Sequence, residues 1–199
     1  GYGYYCAAKS KKLTVRLLFQ GVKKGFMFAD EHVVDAITRL EKGSIVILAL
    51  SNKLGRFGQV KSFRKFCRDQ DYRFLSATGL GDVDVTYFER FMEAMNVNYS
   101  RMKKKGMAIK KKWDKAKEIR VTTEAGTDLT IDVEGMVAIA NIGLYHKPGE
   151  GGNMPAGEVY MPPKGFNGVN GVVVVDGSMK TADGALLLEK PLTLEIKNG

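Results

Sequence analysis

Apolar positions along the chain follow three different periods. Residues 11–19, KKLTVRLLF, are β-branched and apolar at their centre and predict a strand. Residues 29–43, ADEHVVDAITRLEKG, place Val33, Val34, Ile37 and Leu40 at helical spacing, with Asp30 as N-cap and Gly43 as the stop. Residues 44–50, SIVILAL, form the short continuous apolar run of a parallel strand covered on both faces. A second helix is predicted over roughly residues 59–68, with Phe63, Phe66 and Cys67 inward, and a further strand over residues 72–77. Strands alternating with helices in this way imply a parallel sheet, so the first half reads as an open, doubly wound α/β unit lacking its first strand.

After Gly79-Leu80-Gly81 the pattern turns helical, with a break near Asn96-Val97-Asn98. Met95, Tyr99, Met102, Gly106, Ile109, Trp113 and Ala116 recur in alternating steps of four and three, and this stripe is expected to be buried. From Glu118 the period becomes two. EIRVTTEAG and TDLTIDVEG predict a hairpin turning at Ala125-Gly126. A Gly-, Pro- and Asn-rich loop is expected over residues 143–153. Strands follow over residues 157–161, 169–175 and 186–196, with turns at Asp176-Gly177 and Asp183-Gly184. The expected fold class is therefore α/β, with residues 1–117 as a parallel α/β domain and residues 118–199 as a β-rich portion of a second, incomplete domain.

Charge sharpens that division. The formal net charge of +9 is the sum of about +14 over residues 1–117 and about −5 over residues 118–199. Lys103, Lys104, Lys105, Lys110, Lys111, Lys112, Lys115 and Lys117 all lie off the apolar stripe, which reads as a solvated helix face rather than a nucleic-acid surface. Hydrophobic residues make up 44% of the chain, which excludes a disordered tail, and no apolar run reaches the ~20 residues of a membrane-spanning helix. A cytoplasmic protein is expected, not a membrane-bound one. With no Met at its start and an end at Gly199 in mid-pattern, the sequence is expected to be part of a longer chain.

Candidate chemistry is sparse. Cys6 and Cys67 have no partner at metal-ligand spacing and read as reduced, buried or half-buried thiols. His32 lies on a helix and His146 in the Gly/Pro-rich loop, and both read as surface residues. SATGLG, residues 76–81, sits where phosphate loops occur, but it lacks the Lys and spacing of a P-loop and reads as a turn. The informative segment is GNMPAGEVYMPP, residues 152–163. It presents Glu158 between Pro155 and Pro162-Pro163, a rigid setting suited to a metal ligand or an acid/base residue.

That segment, followed by GVVVVDGSM, resembles the aminopeptidase T type of metallopeptidase, especially its archaeal leucyl-aminopeptidase-like branch. FLSATGLGD (residues 74–82), VTTEAGTDLTIDVEG (residues 121–135) and KPGEGG ahead of GNMPAGEV carry the same resemblance, which covers roughly residues 60–199. It implies a hydrolase that removes N-terminal residues from peptides at a two-metal site, with zinc or cobalt as cofactor, Glu158 as one metal ligand, and a homodimer. The family's other ligands would lie beyond this sequence, so the 199 residues are expected to be inactive alone. Asp128 and Asp176 match family motifs and read as scaffold that hydrogen-bonds turns. Two alternatives stand beside the peptidase. One is an iron dioxygenase of the same fold that opens a dihydroxypyridine ring, since iron oxygenase sites favour two His and one carboxylate. The other is a non-enzymatic basic binding module.

Overall fold

A computed structural model describes the chain except for Asn52, Lys61, Ala182, Asp183 and the side chain of Asp82. It has the mixed α/β architecture that the patterning predicts, with one parallel sheet and several antiparallel ones. The chain divides into two compact units. Unit 1 comprises residues 1–103 and 141–157, and unit 2 comprises residues 104–140 and 158–199.

Unit 1 is built on a parallel sheet of β1 (Ile45–Leu50), β2 (Arg73–Thr78) and β6 (Gly151–Asn153), in that order. Val46 is registered with Phe74 and Leu48 with Ser76, so these side chains share a face. Two helices cover that face. α2 (Glu31–Thr38) contributes Val33 and Ile37, and α3 (Phe63–Asp69) contributes the fully buried Cys67. Phe57 completes the core, with ring centroids 5.3 Å from Phe63 and 4.9 Å from Phe66. Tyr72 is buried too, and its hydroxyl donates to the Leu40 carbonyl at 2.6 Å. Burial pushes the Cys67 thiol up to about 12, so it is a packed apolar group and not a nucleophile. Cys6, on α1 (Tyr2–Ser10), is free and exposed rather than half-buried.

Two expectations for this half are corrected. Residues 11–19 form no strand, although Leu18 and Phe19 have the right character and are exposed. Strand propensity mainly measures packing against neighbouring strands, and this segment has no ladder partner among the described residues. Asp30 does stand at the N-cap of α2, but its side chain makes no cap bond. It pairs instead with the buried Lys23 at 2.5 Å, which holds its carboxyl below the usual range.

The helical stretch resolves into α4 (Phe88–Met95) and α5 (Tyr99–Trp113), parted where the Asn96–Asn98 break was expected. The stripe on α5 is not buried as expected. No residue of the helix is fully buried, and Ile109 is exposed. In unit 2 the hairpin of β3 (Glu118–Thr122) and β4 (Asp128–Asp132) joins β8 (Val169–Val175) and β11 (Leu192–Ile196) in an antiparallel sheet ordered β11-β8-β4-β3. β5 (Ile139–Asn141) pairs with β7 (Glu158–Tyr160). β9 (Ser178–Thr181) pairs with β10 (Gly184–Leu187), and the bend at Asp176-Gly177 leads into β9. Asp183, half of the other expected turn, lies outside the described residues.

Candidate functional site

Ligands of open parallel sheets bind beyond the carboxyl ends of the strands. In unit 1 those ends are Leu50, Thr78 and Asn153. The third strand was read from the sequence as loop, because it is Gly151-Gly152-Asn153. Here the glycines are what allow it to pair. Gly151 lies beside Phe74 so closely that a Cβ would overlap the ring, and Gly152 is equally tight against Tyr145 and Asn141. The strand registers Phe74 with Gly151 and Ser76 with Asn153, and Arg64 anchors it by donating to the Gly151 carbonyl at 2.6 Å.

Beyond β6, Met154 N donates to the Ser76 carbonyl at 2.8 Å, and a cis Met154-Pro155 bond turns the chain. Gly157 N donates to the Asn141 carbonyl at 2.9 Å. Asn141 Nδ2 donates to the Asn153 carbonyl at 3.2 Å, and the Tyr145 hydroxyl donates to Asn141 Oδ1. The arrangement is a fixed polar rim of Asn141, Tyr145 and Asn153 at the end of the parallel sheet. Its hydrogen-bonding groups can orient a polar ring, but it offers no strong acid or base. The signal that could have found it is an Asn directly after two glycines, facing a second Asn twelve residues earlier.

The expected site residues lie apart from this rim in character. Glu158 opens β7 in unit 2 and is exposed. His146 is exposed in the loop before β6, where its backbone N–H and that of Lys147 donate to Glu150 Oε2 at 2.9 and 3.0 Å. The ring of His32 bonds the Phe19 carbonyl at 2.8 Å. Asp128 accepts two bonds from Arg120, at 2.7 and 2.6 Å, which hold its carboxyl below the usual range. Asp176 is exposed at the end of β8. Among the described residues, no three His, Cys, Asp or Glu side chains converge as a metal would require.

Residues 80–199 match the family model described as 2,5-dihydroxypyridine 5,6-dioxygenase, NicX. The chain belongs to that family. Its fold is also similar to the solved structure of 2,5-dihydroxypyridine dioxygenase from Pseudomonas putida KT2440. The TM-score is 0.64 at 17% identity, over 97% of this chain and 55% of that one. The chain thus spans about half the length of that protein, and at this identity the likeness speaks for the fold. Curated proteins gave no match.

The family match overturns the aminopeptidase T resemblance, and with it the hydrolase activity that the resemblance implied. The alternative of a ring-cleaving dioxygenase is the reading that the match supports. Membership of NicX agrees with a divalent metal as cofactor but gives no support to zinc or cobalt. The described residues do not fit such an ion by themselves, since no three of their His, Cys, Asp or Glu side chains converge. No helix among the described residues is long and apolar enough to cross a membrane.

Proposed function

We propose that the whole protein opens a dihydroxylated pyridine, or a closely similar hydroxylated heteroaromatic ring, by inserting both atoms of dioxygen. The family match over residues 80–199 carries this reading, and the fold likeness over nearly the whole chain supports it. In this reading the NicX-type ring lies at the carboxyl end of the parallel sheet. Asn141, Tyr145 and Asn153 hydrogen-bond its hydroxyl and ring-nitrogen edge. Iron is the metal, as such oxygenases favour.

The test uses the full-length protein supplied with iron(II) and 2,5-dihydroxypyridine. One dioxygen should be consumed per ring lost, and labelled dioxygen should place both atoms in the ring-opened product. Absence of oxygen uptake on this ring and its hydroxylated relatives, in protein that has bound iron, would sink the proposal. Tyr145→Phe separates the rim assignment from the reaction. It should weaken substrate binding while iron content stays the same, and an unchanged KM removes the rim from the site.

A further inference from the structure

Unit 1 holds a second concavity whose chemistry the ring-opening reading does not use. A cavity of about 400 Å³ lies between Gly25 and the loop that follows β1, lined by Lys53, Arg56, Gly58, Gln59 and Phe63 among others. Two of these side chains are cations, and no carboxylate lines the space among the described residues. Neither cation has an ion-pair partner among the described residues, whereas the nearby Lys23 is already paired with Asp30.

Both cations keep donors to spare. Lys53 Nζ donates to the Gly25 carbonyl at 2.9 Å, which uses one of an ammonium's three protons. The Arg56 guanidinium lies over the Phe28 ring, 4.9 Å from its centroid. Stacking occupies the face of a guanidinium and leaves its N–H edge available for a planar or tetrahedral oxyanion.

The backbone beneath them is fixed. Arg56 N donates to the Met27 carbonyl at 2.8 Å, and Ala29 N donates to the Arg56 carbonyl at 2.9 Å. Lys53 forms a bridge with Lys23. Gly55 makes this close approach possible, since a Cβ there would stand 2.7 Å from the Ala29 nitrogen. The loop leaves the carboxyl end of β1, which is the side of a parallel sheet where ligands gather. Two exposed cations without an ion-pair partner among the described residues, around an open cavity of that size and with an amide side chain beside them, complement a small anion.

We propose that this cavity binds a small oxyanion, an organic carboxylate or a phosphate, through Lys53 and Arg56 with Gln59 as a neutral donor. The proposal does not depend on the ring-opening reaction. The test is calorimetric titration of the full-length protein with inorganic phosphate and, separately, with maleate, at constant ionic strength. At least one ion should bind saturably at one site. Lys53→Gln and Arg56→Gln should each weaken it by about tenfold, the size expected for losing one charged hydrogen bond. The control is Lys104→Gln on α5, which removes the same single charge from an exposed helix face and should leave the affinity unchanged. Saturation by phosphate alone identifies a phosphate ligand, and saturation by maleate alone a carboxylate. Failure of both ions to saturate overturns the site. So does equal weakening in the α5 control, because the attraction would then come from net charge and not from this cavity.

Discussion

The two units are held together by different forces. Among the described residues, all the buried apolar side chains except Val133 and Ala138 belong to unit 1. Its sheet face is sealed by two helices around a cluster of aromatic rings. Unit 2 has a larger sheet, but the strands of that sheet are half-buried or exposed along their length. It relies on ladders and polar ties. Lys110 Nζ donates to the Ala138 carbonyl at 2.6 Å while Asp114 accepts from the Ala138 N–H at 2.8 Å, and Glu134 is shared between Lys117 and Lys164. Unit 1 should therefore respond most to lost volume, and unit 2 to lost hydrogen bonds.

The largest effect expected is from Phe57→Ala. The side chain is buried against Phe63 and Phe66, so its removal leaves a cavity and should cost about 3–5 kcal/mol. The matching deletion in unit 2, Leu194→Ala, removes a side chain that is 39% exposed and should cost about 1 kcal/mol. Hydrogen exchange read separately on the amides of each unit would measure both. Equal losses would break the contrast.

A smaller effect of a different kind is expected at Thr127 in unit 2. Its hydroxyl accepts from Val174 N at 2.9 Å and lies 3.3 Å from the Val174 carbonyl, to which it donates, so a buried side chain completes the backbone bonding of β8. Thr127→Val keeps the shape and strands the N–H, at a cost of about 1–3 kcal/mol. Thr127→Ser keeps the hydroxyl and should recover most of that loss in urea denaturation. If serine is no better than valine, the methyl group is what counts, and unit 2 is held by packing after all.

Thr127 also shows what the sequence could and could not tell. The segments that carried the peptidase resemblance are now placed. FLSAT lies within β2, GTDLT contains the Thr127 tie, and GGN is β6. They are architecture, and the peptidase chemistry drawn from them is overturned by the family match. α2, β2 and the β3–β4 hairpin were legible because one face of each meets a neighbour, and β1 was legible from its continuous apolar run, although only its Val46 and Leu48 face is buried and Ile45 and Ile47 are exposed rather than covered as expected. β6 was hidden because its glycines, needed for close approach, look like loop composition. Residues 11–19 erred the other way, with strand composition but no strand to pair with among the described residues. The rim of Asn141, Tyr145 and Asn153 depends on a fold-back of the chain, of which the Gly-Gly-Asn of β6 and the Asn twelve residues earlier are the trace in the sequence.

The smallest effect expected tests the polar ties of unit 2 at their weakest, the exposed pair of Arg120 and Asp128. Both side chains are more than half exposed, so solvent and salt screen the attraction. Arg120 donates to the Asp128 carboxyl and holds it below its ordinary value. A carboxyl depressed in the folded state adds stability that is fully present above its unfolded value, about 4, and fades as pH falls through the lower folded value. The pair therefore contributes at neutral pH and is lost only in acid. In Arg120→Ala the Asp128 carboxyl should titrate at its ordinary value, and the acid limb of the stability curve should shift slightly toward higher pH. Carboxyl-carbon NMR titration of Asp128 in both proteins would measure this, and raised salt should shrink the difference. An unchanged midpoint would mean that the bidentate geometry carries no energy in water. Unit 2 would then rest on its ladders and on Thr127, with its surface ion pairs as bystanders.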